Sequence, residues 1–155
     1  MQKVKISLFH STSHAPSRAV KAVLDMSGLY YTHIELNLMN KDNKCEEFKI
    51  VNPNQNVPTL IDGDKRLDDS IEILKYLCTK YVDKGLPDHL YPVNDKNMQA
   101  KVDEWLQWNQ EEFAKNIREY VEAKIKETKT EQPMQHDQKK QMLEKIASNL
   151  QHLNT

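Results

Sequence analysis

Alternating apolar positions open the chain and predict a strand. Every second residue from Val4 to Leu8 is apolar, which is typical of a strand with one buried face. Pro16 suits the first position of a helix, where apolar residues then recur at helical spacing until Gly28 ends it. A second alternation at residues 31–38 predicts another strand. Strand, crossover helix and strand form a βαβ unit with parallel pairing.

The next segment predicts a short helix, a hairpin and a longer helix. One helical turn is expected at residues 45–50, and strands at 57–61 and 65–67 are joined across an Asp62-Gly63 turn. Asp69 then caps a helix. The apolar face of that helix is predicted to contain Ile71, Leu74, Tyr76, Leu77 and Tyr81. This order of elements predicts an α/β thioredoxin-like domain with a four-stranded mixed sheet.

The second half predicts a linker and a partial all-α domain. Glycine and prolines mark residues 84–95 as the linker between a first domain at 1–83 and a second at 96–155. Apolar residues recur at steps of three and four from Met98 to Ile125, and a final helix covers residues 135–153. The second domain is therefore a truncated all-α domain of two helices.

Two helices are too few to bury their own apolar faces. An apolar surface left in water loses roughly 25 cal/mol per Å² of stabilisation, and an exposed patch of this kind usually marks an interface. Either the chain is a fragment, or a protein partner or a second copy (a homodimer) covers the shortened helical half. The side chains expected under that cover are Trp105, Phe113, Ile146 and Leu150.

Composition narrows the classes of function. The net charge of −1 argues against a nucleic-acid-binding surface. No apolar run is long enough to span a membrane, and the first residues do not form a signal peptide. Cys45 and Cys78 do not suggest a disulfide framework, so a cytoplasmic location is expected, with an organelle as the open alternative. The six histidines lack metal-ligand spacing, and no metal site is expected.

Two prolines and an amide-rich loop distinguish residues 52–64. Pro58 opens a strand, which is one of the few places where a strand tolerates proline. The Val57-Pro58 bond is a candidate cis peptide, with a trans proline at the strand entrance as the alternative. The residue before such a proline exposes its own N–H and C=O. Val57 is therefore suited to bind the backbone of a peptide-like ligand.

Several short motifs occur together in this chain. They are Ser-Arg-Ala-Val at 17–20, Val-Asn-Pro at 51–53, Asn-Val-Pro-Thr-Leu at 56–60, Asp-Gly-Asp at 62–64 and Leu-Asp-Asp-Ser at 67–70. In this combination the chain resembles the glutathione S-transferase family, most closely its theta class. The likeness runs from about Val4 into the final helix, with a C-terminal helical domain shorter than the family's.

The resemblance implies a glutathione site in the first domain, with glutathione as co-substrate. Val57 would bind the cysteinyl part of glutathione beside a cis Pro58. Asp69 and Ser70 would hold the γ-glutamyl end, where N–H groups at a helix N-terminus favour a carboxylate. Two amide side chains, Gln55 and Asn56, would contact the glycyl end. The alternative for Asp69 and Ser70 is that they only cap the helix.

The residue that serves the sulfur departs from the family pattern. Theta-class members place a serine two residues before the proline that opens the first helix, and His14 occupies that position here. A one-residue slip of the loop would bring Ser13 within reach, or His14 would itself donate to the sulfur. His14 as a loop histidine without a ligand is equally open. A disulfide reductase is excluded because the loop has no cysteine and the chain has no C-x-x-C motif.

Two functions follow from these observations. The first is a glutathione S-transferase that conjugates glutathione to electrophiles. The second is a non-catalytic descendant that keeps the fold as a subunit of a larger assembly. The altered catalytic position and the short helical half favour the second, whereas the intact motifs around Val57 and Asp69 favour the first.

Overall fold

The structure, a computed structural model, describes residues 6–153. Val4, where the first strand was predicted to begin, lies outside these residues. The chain divides into two compact units between Lys96 and Asn97. The domain bounds given by the sequence, 1–83, 84–95 and 96–155, stay a prediction.

A four-stranded mixed sheet forms the centre of the first unit. Its strands are β1 (Ile6–His10), β2 (Tyr31–Glu35), β3 (Thr59–Asp62) and β4 (Lys65–Leu67). The order across the sheet is β2-β1-β3-β4, in which β1 and β2 are parallel and the other pairs are antiparallel. The predicted α/β thioredoxin-like fold with a four-stranded mixed sheet is confirmed.

Among residues 6–96, the α-helices of this unit are α1 (Ala15–Met26), α2 (Glu46–Val51) and α3 (Ser70–Lys80). Helices α1 and α3 bury their apolar residues against β1 and β3 in one core cluster. A second, smaller cluster forms around Phe48 of α2, with Leu36 and Val57. Apolar side chains thus accumulate in two separate clusters, as expected of a sheet covered by helices.

The buried stripe of α3 is shifted from the predicted one. Ile73, Leu77 and Cys78 are its buried residues, whereas Ile71 and Leu74 are only half-buried. Helical spacing alone is compatible with both the predicted and the observed stripe, because Ile and Leu residues occur in each of them. The contacts with α1 and the sheet select the stripe that is observed.

The segment after α3 packs back onto the first unit. Two short 3₁₀ helices, Val82–Lys84 and Asp88–Leu90, flank Gly85 and Leu86. Leu86 is buried within the larger core cluster. Gly85 has a φ of 97°, a conformation that glycine adopts without steric cost. Residues that the sequence assigned to a linker therefore contribute to the core.

The second unit consists of helices. They are α4 (Lys96–Trp108), a π-helical segment (Asn109–Phe113), α5 (Ala114–Thr130) and α6 (His136–His152). Helix α5 continues to Thr130, beyond Ile125, where the helical spacing of apolar residues in the sequence ends. Within residues 6–153, no helix is both long and apolar enough to cross a membrane.

The helical unit leaves its apolar side chains accessible to water. None of the described residues of α4, α5 or α6 is buried. Trp108 stacks on Phe113 with ring centroids 5.8 Å apart, and the ring of His152 from α6 lies 5.0 Å from that of Trp108. The large apolar side chains that stay exposed are Met98, Trp105, Ile117, Val121, Ile125, Leu143, Leu150 and Leu153. A partner or second copy over this surface stays a prediction.

Candidate functional site

Three chain segments meet at one edge of the sheet. Strand β1 ends at His10, and Phe9 pairs with Thr59, the first residue of the antiparallel strand β3. Leu60 pairs in turn with Leu67 of β4, shortly before α3 begins. The loop after β1, the residues before β3 and the N-terminus of α3 therefore lie at the same edge. We call this edge the cradle, formed by residues 11–14, 55–58 and 69–70.

The middle of the cradle is the Val57-Pro58 peptide bond, which is cis, one of the two forms that the sequence left open. Val57 is 8% exposed, and Pro58 is fully buried. Among residues 6–153, no hydrogen bond uses the backbone N–H or C=O of Val57. Backbone groups in folded proteins are nearly always paired, so these two are suited to a ligand.

A buried asparagine supports the loop before Val57. Asn52 is fully buried, and its side-chain NH₂ donates to the carbonyl oxygen of Asn56 at 3.1 Å and to Thr59 Oγ1 at 2.9 Å. Its Oδ1 accepts from the N–H of Asn54 at 3.0 Å. In the sequence, Asn52 stands out only as part of the Val-Asn-Pro motif at 51–53. An Asn-Pro pair that opens a turn was the available signal for this role.

Asn52→Ala is expected to lower the free energy of unfolding by about 1–3 kcal/mol, because the loop loses several bonds to a fully buried amide. Hydrogen exchange of the β1 and β3 amides would measure this change. Asn54→Ala is the matched control. Its side chain is exposed and bonded to Asp68, so a change under about 0.5 kcal/mol is expected there. Equal effects of the two substitutions would contradict a special role for Asn52.

The N-terminus of α3 forms the second side of the cradle. Asp69 caps the helix, as predicted, because its Oδ1 accepts from the Glu72 N–H at 2.9 Å. Ser70 is the first helical residue, and both Asp69 and Ser70 are half-buried. A carboxylate has further acceptor positions beyond the one used for the cap. The cap and a ligand-binding role for Asp69 are therefore compatible.

The two amides predicted for the glycyl end differ in what they already bind. Gln55 has a positive φ of 52°, and its carbonyl accepts from Asn43 Nδ2 at 2.8 Å. The Asn56 side chain accepts from Asn52 and donates to the Asp68 carbonyl at 3.0 Å. The Oδ1 of Asn56 thus binds within its own loop, and its NH₂ group holds this loop against the segment just before α3. Gln55 is the better placed of the two for a ligand.

The loop between β1 and α1 carries the two predicted sulfur donors. Ser13 is exposed, and its Oγ lies 3.0 Å from Oγ of the buried Ser11. His14 is half-buried, and its Nδ1 lies 3.1 Å from Oγ of Ser17. Ser13 and His14 were predicted from the sequence as sulfur donors, whereas no role was predicted for Ser17. No local pattern distinguishes a supporting serine from any other serine in a first helical turn.

The loop is also tied to its neighbours. The Thr12 hydroxyl donates to the Glu35 carboxylate, and this hydrogen bond lowers the pKa of Glu35. Arg18 donates to the Thr12 carbonyl at 2.9 Å. Burial lowers the pKa of His10, although the Glu35 carboxylate nearby acts in the opposite direction. A neutral His10 therefore ends β1 directly before the loop.

The structure brings the predicted site residues to one edge of the sheet. Within residues 6–153, no group of three or more His, Cys, Asp or Glu side chains is placed to hold a metal ion. The available chemistry consists of free backbone groups, a helix N-terminus, a carboxylate, a hydroxyl and an imidazole. These groups suit a small peptide with a free amino end and a thiol.

Comparisons with known proteins point in one direction. Residues 8–85 match the family model described as "Glutathione S-transferase, N-terminal domain". Glutathione S-transferase theta-3 of Mus musculus is 36% identical over 103 residues, which are 66% of this chain and 41% of that protein. The chain spans less than half the length of the curated relatives it matches.

Solved structures agree with the sequence comparison. Human glutathione-S-transferase T1-1 in its apo form has a TM-score of 0.83 at 27% identity, over 94% of this chain and 60% of that one. A glutathione transferase homolog from Drosophila mojavensis, solved with bound glutathione, has a TM-score of 0.64 at 38% identity. That match covers 71% of this chain and 48% of the other.

Proposed function

The chain belongs to the glutathione S-transferase family and is theta-like within it, and we propose that it binds glutathione in the cradle. The observation that carries the proposal is the pair of unbonded backbone groups at Val57, set beside the N-terminus of α3. An extended peptide can pair with such groups as a strand would.

Each part of glutathione has a partner in this proposal. The cysteinyl part pairs with the Val57 backbone. The γ-glutamyl carboxylate binds at Ser70, where N–H groups at the start of α3 and the positive end of the helix dipole favour an anion. The γ-glutamyl ammonium pairs with the Asp69 carboxylate. The glycyl end lies toward Gln55, with Asn56 contributing mainly by holding the loop.

We further propose that the chain takes part in conjugating glutathione to electrophiles. A donor from Ser13 or His14 and the N-terminus of α1 would favour the glutathione thiolate over the thiol. The thiolate would then attack an electrophilic carbon, so that a C–S bond forms and the leaving group departs with its electron pair. As parts of the same proposal, the whole protein conjugates glutathione to an electrophile and is located in the cytoplasm. A protein partner or a second copy covers its helical half. The comparisons do not favour the alternative of a non-catalytic assembly subunit.

Calorimetry of the chain with glutathione tests binding directly. We expect glutathione to bind about 10- to 100-fold more tightly than the dipeptide Cys-Gly, because the dipeptide lacks the γ-glutamyl charges that meet Asp69 and Ser70. S-methylglutathione is the second probe, since it keeps those charges and removes only the thiol. Equal affinity for Cys-Gly and glutathione, or no binding of glutathione at millimolar concentration, would overturn the proposal.

A further inference from the structure

The buried Ser17 contacts the imidazole of His14 in the loop between β1 and α1. Ser17 lies in the first turn of α1 and is fully buried, with its Oγ 3.1 Å from His14 Nδ1. His14 precedes the helix, and its side chain makes no capping hydrogen bond. The Ser17 hydroxyl therefore contacts one ring nitrogen of His14 from the helix side. In a histidine, the hydrogen bond made by one ring nitrogen sets the protonation of the other.

The hydroxyl proton of Ser17 decides which tautomer of His14 fits. Among residues 6–153, His14 Nδ1 is the only hydrogen-bond partner of Ser17 Oγ. If Nδ1 carried a proton and donated to Ser17, the buried O–H of Ser17 would have no acceptor, in the neutral ring and in the imidazolium alike. A buried polar group without a partner is costly. If Ser17 donates to Nδ1, both groups are satisfied and the ring proton is on Nε2.

We propose that Ser17 is a positioning residue that holds His14 as the neutral imidazole with its proton on Nε2, and that this N–H donates to the glutathione sulfur. The second half rests on the proposed function. Of the two donors that the sequence left open, His14 rather than Ser13 then serves the sulfur. The donor is a neutral N–H, which stabilises a thiolate by a hydrogen bond and gives up no proton to it.

The first half is tested without glutathione. Long-range ¹H–¹⁵N NMR of the histidine rings, with His14 assigned from the spectrum of His14→Gln, reports which nitrogen is protonated. We expect an unprotonated, accepting Nδ1 and a protonated Nε2 in the unchanged chain at neutral pH. In Ser17→Ala we expect the Nδ1 resonance to move as the fixed tautomer is lost. A protonated Nδ1 in the unchanged chain would overturn the proposal, whether or not any variant folds.

The second half is tested on the glutathione complex by titrating thiolate absorbance. Ser17→Ala and His14→Gln are both expected to raise the pKa of the bound thiol by about one unit. His14→Gln removes the imidazole that donates to the sulfur, and Ser17→Ala removes the hydroxyl that holds this imidazole. Ser17→Thr keeps the hydroxyl and is expected to restore the lower value. Ser27→Ala is the matched control, because Ser27 is a buried serine at the other end of α1 that donates to the Leu24 carbonyl.

The outcomes separate the two proposals. If calorimetry shows no glutathione binding, the proposed function fails, and the NMR experiment still decides the tautomer. If glutathione binds and the thiol pKa is the same in the unchanged chain and in His14→Gln, the assignment of His14 as the donor is wrong. If His14→Gln raises the pKa and Ser17→Ala does not, the positioning role of Ser17 is wrong.

Discussion

The Asp69→Asn variant is expected to bind glutathione about 10- to 100-fold more weakly than the unchanged chain. Asparagine caps a helix about as well as aspartate, so the bond to the Glu72 N–H is kept and the helix start stays intact. Only the negative charge is lost. A carboxylate that pairs with the ligand ammonium contributes about 1.5–3 kcal/mol, which a neutral amide does not replace. Calorimetry gives the change in affinity.

Glu72→Gln is the matched control for this variant. Glu72 lies in the same first turn of α3 and is exposed, so the substitution changes the net charge and the helix-end field by a similar amount. We expect its affinity to stay within about twofold of the unchanged chain. Asp69→Ala removes the cap as well and is expected to cost about 1 kcal/mol of stability in addition. An unaltered affinity in Asp69→Asn would leave Asp69 with its capping role alone.

The second large effect concerns a carboxylate far along β3 from the cradle. Asp62 is 9% exposed, and its Oδ2 accepts three bonds, from Tyr76 OH at 2.7 Å, Tyr81 OH at 2.6 Å and Lys80 Nζ at 2.7 Å. The Lys80 ammonium also lies 5.2 Å from the ring centres of both tyrosines. This network ties the C-terminal half of α3 to the end of β3.

Asp62→Ala is expected to lower the free energy of unfolding by about 2–4 kcal/mol. The Tyr81 hydroxyl would be left buried without its acceptor. Lys80 keeps its contact with water because 45% of its side chain is exposed, so the loss stays below that of a fully buried ion pair. Both tryptophans, Trp105 and Trp108, lie in the helical unit, so hydrogen exchange of the β1 and β3 amides is the suitable measurement.

The same network predicts a dependence on pH. Burial acts to raise the pKa of Asp62, but the hydrogen bonds from Lys80, Tyr81 and Tyr76 outweigh it and lower the pKa below 3.8. Burial, followed by the bond to Asp62, raises the pKa of Tyr81 to about 12. A carboxyl group with a lowered pKa in the folded state stabilises the fold above its unfolded value, and this contribution is lost as the pH falls.

The difference in stability between the unchanged chain and Asp62→Ala should therefore be constant near neutral pH and shrink as the pH falls below about 3.8. Asp64→Ala, an exposed carboxylate in the same hairpin, is the control and is expected to change stability by less than about 0.5 kcal/mol. A loss in Asp62→Ala no larger than that of Asp64→Ala would show that the three bonds contribute little.

Local patterns in the sequence determined the order of elements in the first unit. The two-residue alternation placed β1 and β2, and the cap at Asp69 placed the start of α3. The proline at residue 58 placed the entrance of β3 and made the bond before it a candidate for the cis form that is observed. Each of these features depends on a few neighbouring residues, whose backbone preferences and spacing suffice to specify it.

Tertiary structure alone decided which side chains support the cradle and which face of α3 is buried. Asn52 at the end of α2 reaches Thr59 of β3, and Asp62 of β3 accepts from residues 14 to 19 positions further along the chain. The buried stripe of α3 follows from contacts with α1 and the sheet rather than from its own spacing. Burial and hydrogen-bond partners arise only when separate segments pack together, because an isolated segment would leave the same polar groups bonded to water.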